Sequence, residues 1–189
     1  MKLLPLLAAL PLLCASVVSA QSFMSVGYFN GGGDVTAGPG GDIDKLDVTQ
    51  ITHLNYSFGL IYNGEKDETN AVLKDPARRH QIYLSPKVMA DLQRLPTLRK
   101  QNPELKVLLS VGGWGARGFS AAAATAENRA IFIRFALQVI AQYQLDGIDL
   151  DWEYPVNGAW GLVESQPADR DNFTLLLKEL HQALVKASC

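Results

Sequence analysis

Residues 146–153 read DGIDLDWE, in which acidic and apolar side chains alternate. Successive side chains of a β-strand point to opposite faces. A strand from Gly147 to Glu153 therefore presents Asp149, Asp151 and Glu153 on one face and apolar side chains on the other. The apolar face can pack under helices. The segment thus predicts a buried strand whose second face concentrates three carboxyl groups.

Outward from this segment, the chain alternates short apolar strands with amphipathic helices. Further strands are predicted at 24–29, 51–60 and 106–111. One helix is predicted to begin at Pro86 after the capping residue Ser85, and two more follow from apolar side chains at helical spacing. These side chains are Phe132, Phe135, Ala136, Val139, Ile140 and Tyr143, then Phe173, Leu176, Leu177, Leu180 and Leu184. The alternation predicts an α/β fold with about four parallel strands joined by crossovers.

Two stretches interrupt this pattern. Residues 61–84 are polar and contain the turn signal Asn63-Gly64, so they are predicted to be irregular. Pro96 is predicted to kink or end the helix that begins at Pro86, because proline cannot donate a backbone hydrogen bond inside a helix.

Composition and charge limit the class of protein. Of the 189 residues, 48% are hydrophobic and 19% are charged, which is ordinary for a globular protein. The formal net charge of -2 gives no reason to expect nucleic acid or an anionic membrane as a partner. A neutral polysaccharide is compatible with this charge, but so are most other ligands.

Residues 1–20 predict a secretory signal peptide. Lys2 supplies a positive charge, residues 3–13 are almost purely apolar, and residues 18–20 read VSA, a small-residue cleavage site. An anchored N-terminal helix is the alternative, which the prolines in the apolar run disfavour. The expected protein is secreted, extracellular or periplasmic, with residues 21–189 as the mature chain and no membrane attachment after cleavage.

Three carboxyl groups on one strand face are expected to influence one another's protonation. Like charges at close range cannot all ionise without cost, so at least one pKa is expected to rise. A carboxylic acid that stays protonated near neutral pH can act as a general acid. The residues alone also allow a solvated strand face, a metal site or a cluster paired with arginine. An EF-hand calcium loop does not fit, because Tyr154 and Trp160 stand where its glycine and closing glutamate belong.

Two motifs resemble glycoside hydrolase family 18, the chitinase family. Residues 146–153 resemble its acidic motif DxxDxDxE, and Ser110-x-Gly112-Gly113, on the strand before, resembles its second motif. The resemblance runs from about residue 26 to about residue 184. It implies a (β/α)8 TIM barrel, of which this chain would be the N-terminal half of the catalytic domain, about four of eight units.

The resemblance also implies a substrate-assisted reaction and a role for each carboxyl group. Glu153 would protonate the glycosidic oxygen and later activate water. Asp151 would orient the N-acetyl group of the substrate, whose carbonyl oxygen attacks the anomeric carbon. Asp149 would tune Asp151, with Ser110 and Tyr28 as its hydrogen-bonding support.

Further residues are expected to support the site or to bind substrate. Gly112 and Gly113 are supporting residues, and Asp146 is expected to be structural because its side chain is out of phase with the other three carboxyl groups. Aromatic residues near strand ends are expected to contact sugar rings, although core packing is an alternative for them. They are Tyr28, Phe58, Trp114 and Tyr154, with Trp160 in the following loop as a further candidate.

The implied activity is that of a chitinase, which hydrolyses β-1,4 bonds between N-acetylglucosamine units. Its substrate would be chitin or chito-oligosaccharides, with no cofactor, no metal and no nucleic-acid partner. A complete enzyme is expected to be a monomer, whereas half a barrel is expected to be inactive alone. Two alternatives stay open: an endo-β-N-acetylglucosaminidase of the same family acting on N-glycans, and a catalytically dead, lectin-like chitin-binding fragment. Glu153 favours catalysis, because related lectins lack this acid.

Overall fold

The computed structural model describes residues 23–32, 40–64 and 70–187. The predicted signal peptide, residues 1–20, lies outside the described residues. The strands are β1 (Val26–Asn30), β2 (His53–Ile61), β3 (Ile82–Tyr83), β4 (Lys106–Gly112) and β5 (Gly147–Asp151). The α-helices are α1 (Pro86–Leu92), α2 (Leu95–Gln101), α3 (Phe119–Ala123), α4 (Ala126–Tyr143), α5 (Gly158–Gly161) and α6 (Asp169–Ala187). Within these ranges, none of the helices combines the length and apolarity needed to cross a membrane.

A parallel sheet in the order β1-β2-β4-β5 forms the centre of the fold. Its register places Ser57, Ser110 and Asp149 side by side on three neighbouring strands. The short β3 lies off this path and pairs antiparallel with the end of β2. All four parallel strands therefore end at one edge, which is where α/β proteins place their functional groups.

The main hydrophobic core lies between this sheet and the helices. Val107, Leu109 and Val111 alternate along β4 and are completely buried. Phe132 from α4 and Leu176 from α6 are buried in the same cluster. Burying a side chain of this size contributes roughly 1.5–3 kcal/mol to folding. The predicted apolar stripes thus attach α4 and α6 to the sheet.

The region after β2 contains more regular structure than its polar sequence indicates. Residues 61–84 include two 3-10 helices, Ala71–Lys74 and Pro76–Arg78, besides β3. Asp75 caps the second of these helices by accepting a hydrogen bond from the backbone N–H of Ala77 at 3.0 Å. The expectation of irregular structure is wrong for these three short elements, because 3-10 turns and a two-residue strand are too short to produce a periodic apolar pattern.

Two expectations about the helices also need correction. The helix capped by Ser85 ends at Leu92, and Pro96 lies in the first turn of the next helix, α2, instead of breaking the first. A missing N–H costs no hydrogen bond in a first turn. Leu177, expected on the buried stripe of α6, is 46% exposed, because the buried line of this helix runs through Leu176 and Leu180.

Candidate active site

The acidic row lies where β5 ends. The predicted strand from Gly147 to Glu153 is too long, because β5 ends at Asp151. Trp152 is buried and stacks on Phe119, with ring centroids 5.3 Å apart. Glu153 is therefore positioned by the segment that leaves the sheet and by the anchored ring before it. The alternation of faces applies to Asp149 and Asp151 alone.

Asp149 is held by two hydroxyl groups from other strands. Its Oδ2 accepts hydrogen bonds from the Tyr28 hydroxyl at 2.9 Å and from the Ser110 hydroxyl at 2.7 Å. Ser110 is completely buried and is the register partner of Asp149 on β4. Two donors on one oxygen fix the orientation of the carboxyl group. The structure thus brings together Tyr28, Ser110 and Asp149, the three residues that the family resemblance associates with one another.

Asn55 is a further member of this network. It is buried on β2, is the register partner of Tyr28, and makes a side-chain hydrogen bond with the Tyr28 hydroxyl. Burial is the main cause that raises the pKa of Tyr28, and the bond to Asp149 raises it further, whereas Asn55 lowers it. Tyr28 consequently stays a proton donor. Sequence reasoning missed Asn55, although Asn55 and Ser57 alternate as polar residues within an otherwise apolar strand.

The site changes the protonation of Asp151. Burial raises its pKa, and the neighbouring charges of Glu153 and Asp149 raise it further. The expectation that crowding raises at least one pKa is thereby confirmed. Tyr154 makes a side-chain hydrogen bond with Glu153, which is the main cause that raises the pKa of its phenol. The row therefore contains an acid that holds its proton more readily than an ordinary aspartate.

In a Glu153→Gln variant, the pKa of Asp151 is expected to fall, because the charge of Glu153 is one of the causes that raise it. It is expected to stay above the ordinary value of 3.8, because burial and the charge of Asp149 remain. The protonated fraction of Asp151 in mild acid is therefore smaller in the variant. A carbon NMR titration of the Asp151 carboxyl group measures this change.

The control for this titration is Glu104→Gln. Glu104 is exposed and precedes β4, at the opposite edge of the sheet. The Glu104→Gln substitution should leave the titration of Asp151 unaltered. An Asp151 pKa that is the same or higher in Glu153→Gln would contradict the placement of the Glu153 charge beside Asp151.

The glycine pair after β4 allows this loop to lie against the end of β5. The backbone of Gly112 has a φ of 122°, and a Cβ there would overlap the carbonyl oxygen of Asp151. The N–H of Gly113 donates to the same carbonyl oxygen at 2.9 Å. A Cβ at Gly113 would press on the ring of Phe58. Gly112 and Gly113 thus hold the backbone of Asp151 in place, and their lack of side chains lets Phe58 pack against the loop.

Trp114, Tyr154 and Trp160 form a cluster of exposed rings, here called the aromatic face. Neighbouring ring centroids are 6.2 Å apart for Trp114 and Trp160 and 6.4 Å apart for each pair that includes Tyr154. The exposed fractions are 50% for Trp114, 41% for Tyr154 and 80% for Trp160. Rings that remain this exposed beside the acidic row can bind the apolar faces of sugar rings.

Asp146 lies at the other end of β5, away from the row. Its Oδ2 accepts hydrogen bonds from the backbone N–H of Val107 at 2.8 Å and from Arg99 at 2.9 Å. Burial would raise its pKa, but the bond from Val107 and the charges of Lys106 and Arg99 lower it below its usual value. Asp146 thus attaches β5 to β4 and α2 as an ionised carboxylate.

Taken together, these contacts create a proton-handling site at the open edge of the sheet. It combines an oriented carboxyl group, a second with a raised pKa and Glu153 beside an aromatic face. In the part of the chain that the structure describes, no group of three or more His, Cys, Asp or Glu side chains is arranged to hold a metal ion.

Comparison with known proteins relates the whole described region to one family. The model of glycosyl hydrolases family 18 matches residues 24–188. Chitinase A1 of Niallia circulans is 32% identical over 203 residues, which cover 90% of this chain and 29% of that protein. The chain spans less than a third of the length of the curated relatives it matches.

Solved structures give the same relationship in three dimensions. Chitinase ChiW from Paenibacillus sp. str. FPU-7 superposes with a TM-score of 0.67 and 41% identity, covering 86% of this chain and 19% of that one. The chitinase domain of the spore coat protein CotE from Clostridium difficile has a TM-score of 0.67 and 30% identity, covering 92% of this chain and 42% of that one. The parallel sheet and its helices are therefore an α/β fold of the TIM-barrel type.

Proposed function

Because the chain belongs to glycosyl hydrolases family 18, we propose that it carries the catalytic carboxyl groups of a chitinase. The bonds cleaved are β-1,4 links between N-acetylglucosamine units of chitin or chito-oligosaccharides. The observation that carries this proposal is the acidic row. Asp149 is fixed by two hydroxyl groups, the pKa of the adjacent Asp151 is raised, and Glu153 follows where the strand ends.

In the proposed reaction, Glu153 donates its proton to the glycosidic oxygen as the bond from that oxygen to the anomeric carbon breaks. The carbonyl oxygen of the substrate's own N-acetyl group forms a bond to the anomeric carbon, which gives a positively charged oxazolinium ring. Asp151 orients the N-acetyl group and stabilises this ring. The carboxylate of Glu153 then takes a proton from water. The oxygen of this water forms a bond to the anomeric carbon as the bond from that carbon to the N-acetyl oxygen breaks, which restores the N-acetyl group and retains the configuration overall.

Asp149 is proposed to act through Asp151. Its charge is one of the causes that raise the pKa of Asp151. Because Tyr28 and Ser110 both donate to one oxygen of Asp149, this charge has a fixed position relative to the row.

The finer features of the architecture belong to the same proposal. The four parallel strands correspond to the first four units of an eight-unit (β/α)8 barrel, and residues 1–20 are a signal peptide that exports the enzyme. Two observations support this correspondence: the sheet order β1-β2-β4-β5, and the position of the acidic row at the carboxyl ends of the strands, where barrel enzymes carry their active sites.

The proposal is tested on the purified protein with its whole proposed barrel, here called the complete protein. It is incubated with N-acetylated chitotetraose and, separately, with a glycopeptide that carries the chitobiose core of N-glycans. Mass spectrometry identifies the products. We expect shorter N-acetylated oligosaccharides from chitotetraose and no cleavage of the glycopeptide. Cleavage of the glycopeptide alone would replace the chitinase by an endo-β-N-acetylglucosaminidase. Binding of chitotetraose without any cleavage would leave only a lectin-like role.

A further inference from the structure

Glu164 joins three loops at the carboxyl edge of the sheet. Its Oε1 accepts hydrogen bonds from the backbone N–H of Gly118 at 2.7 Å and from the side-chain amide of Asn63 at 3.0 Å. Asn63 follows β2, Gly118 follows β4, and Glu164 follows β5 and α5. One carboxylate oxygen thus connects the loops that leave three neighbouring strands.

A second link lies beside the first. Arg117 donates from Nη2 to the backbone carbonyl of Leu162 at 3.0 Å. Its Nη1 lies 3.9 Å from Oε2 of Glu164, which is an ionic contact but too long for a hydrogen bond. The segments 113–118 and 154–165 are therefore tied twice, once through Glu164 and once through Arg117.

Stability of the fold does not account well for this arrangement. Among the described residues, Oε2 of Glu164, Nε of Arg117 and Oδ1 of Asn63 are buried without a hydrogen-bond partner. Asn63 is only 1% exposed, so its amide cannot turn to solvent. Buried polar atoms without a hydrogen-bond partner weaken a fold. A role in holding the loops explains why these groups lie here.

The tied segments carry the aromatic face. Trp114 lies on the first segment, whereas Tyr154 and Trp160 lie on the second. Trp160 is 80% exposed, so burial of its own side chain does not hold it in place. Its backbone is in the left-handed region, with a φ of 58°. The distance between Trp160 and Trp114 depends instead on how the two segments are fastened to each other.

We propose that Glu164 is a positioning residue, which holds segment 154–165 against segment 113–118 and so sets the spacing of the aromatic face. This inference rests on the proposed function, because the ligand of the aromatic face is taken to be an N-acetylated chito-oligosaccharide. Glu164 acts through Trp114 and Trp160 and takes no part in the chemical step. Its effect therefore falls on substrates long enough to reach the aromatic face.

The test compares Glu164→Ala and Glu164→Gln in the complete protein. Glu164→Ala is expected to raise KM for N-acetylated chitohexaose about tenfold with little change in kcat, since losing one aromatic contact costs roughly that factor. KM for a short fluorogenic chitobioside should not change. Glu164→Gln keeps an acceptor for Gly118 and Asn63 and should restore most of the affinity. Glu104→Ala, at the opposite edge of the sheet, is the control.

A double-mutant cycle with Trp160→Ala separates positioning from general damage. Trp160→Ala should raise KM as Glu164→Ala does, and the double variant should be no worse than either single one. Additive effects, or an equal loss of kcat on short and long substrates, would overturn the proposal. If Glu164→Ala does not fold, Arg117→Lys replaces it, since it loses the planar fork that reaches Leu162. An unchanged KM in Arg117→Lys would then overturn the proposal.

A measurement without substrate distinguishes this inference from the proposed function. The Trp114 and Trp160 rings lie close enough to contribute a coupled signal in near-ultraviolet circular dichroism. Glu164→Ala should reduce that signal in the free protein as far as Trp160→Ala does. A signal that Glu164→Ala leaves intact overturns the positioning role. Failure of the complete protein without substitutions to cleave any chito-oligosaccharide overturns the proposed function instead.

Discussion

Replacing Glu153 by glutamine is expected to lower kcat on N-acetylated chitotetraose by roughly 10²–10⁴-fold, the contribution of a positioned general acid. Glutamine keeps the length and shape of the side chain and can still pair with Tyr154, but it has no proton to give to the glycosidic oxygen. Trp152 remains stacked on Phe119, so the segment after β5 should keep its course. The loss therefore reports the missing proton and not a displaced loop.

Substrate binding should largely survive in Glu153→Gln, because the aromatic face is unaltered. Calorimetric titration with chitotetraose measures this affinity, and steady-state release of products measures kcat. Glu104→Gln is the matched control, with the same chemical change on an exposed side chain at the far edge of the sheet. Turnover close to that of the unaltered protein would remove Glu153 from the mechanism.

Asp151→Asn is expected to lower kcat by about 10²–10³-fold, the usual cost of losing one preorganised electrostatic contact to a developing charge. Asparagine can still form a hydrogen bond to the N-acetyl group, but it cannot supply the negative charge that stabilises the oxazolinium ring. Asp151 is partly buried beside two other carboxyl groups, so water replaces that charge poorly. Oligomers of glucosamine should resist hydrolysis by the unaltered enzyme, because they lack the N-acetyl carbonyl oxygen that attacks the anomeric carbon.

The Asp151→Asn variant and the glucosamine oligomers test the same step, formation of the oxazolinium ring. The variant changes the enzyme, and the oligomers change the substrate. Rates on glucosamine and N-acetylglucosamine oligomers of equal length are compared for the unaltered protein and for Asp151→Asn. Asp171→Asn, an exposed position in the first turn of α6, is the matched control. Comparable rates on the two kinds of oligomer would show that the N-acetyl group is not the nucleophile.

The parallel sheet and the core of the acidic row could be predicted from short-range patterns. Alternation over residues 146–153 indicates a strand with carboxyl groups on one face, and the structure has β5 at that place. Apolar residues at helical spacing likewise indicate α4 and α6. These predictions succeed because side-chain periodicity reflects burial directly. Periodicity does not show at which residue a strand ends. The end of β5 at Asp151 was therefore not predicted.

Other features depend on contacts between residues far apart in sequence. Glu164 bonds to Gly118 and Asn63 across separations of 46 and 101 residues. Nothing in the local sequence of Glu164 distinguishes it from a solvated glutamate, so its role appears only in three dimensions. Asn55 is an intermediate case, because its polar side chain in an apolar strand was a visible signal but its partner Tyr28 was not.

The order in which the parallel strands pair has a consequence for folding during synthesis. Each strand of the path β1-β2-β4-β5 pairs with the one that precedes it along that path, so the sheet can grow as the chain leaves the ribosome at about 5–20 residues per second. Ser110 and Tyr28 precede Asp149 by 39 and 121 residues. Both hydroxyl groups can therefore already lie in the growing sheet when β5 is translated. Asp149 then enters a sheet that already contains the two hydroxyl groups that donate to it.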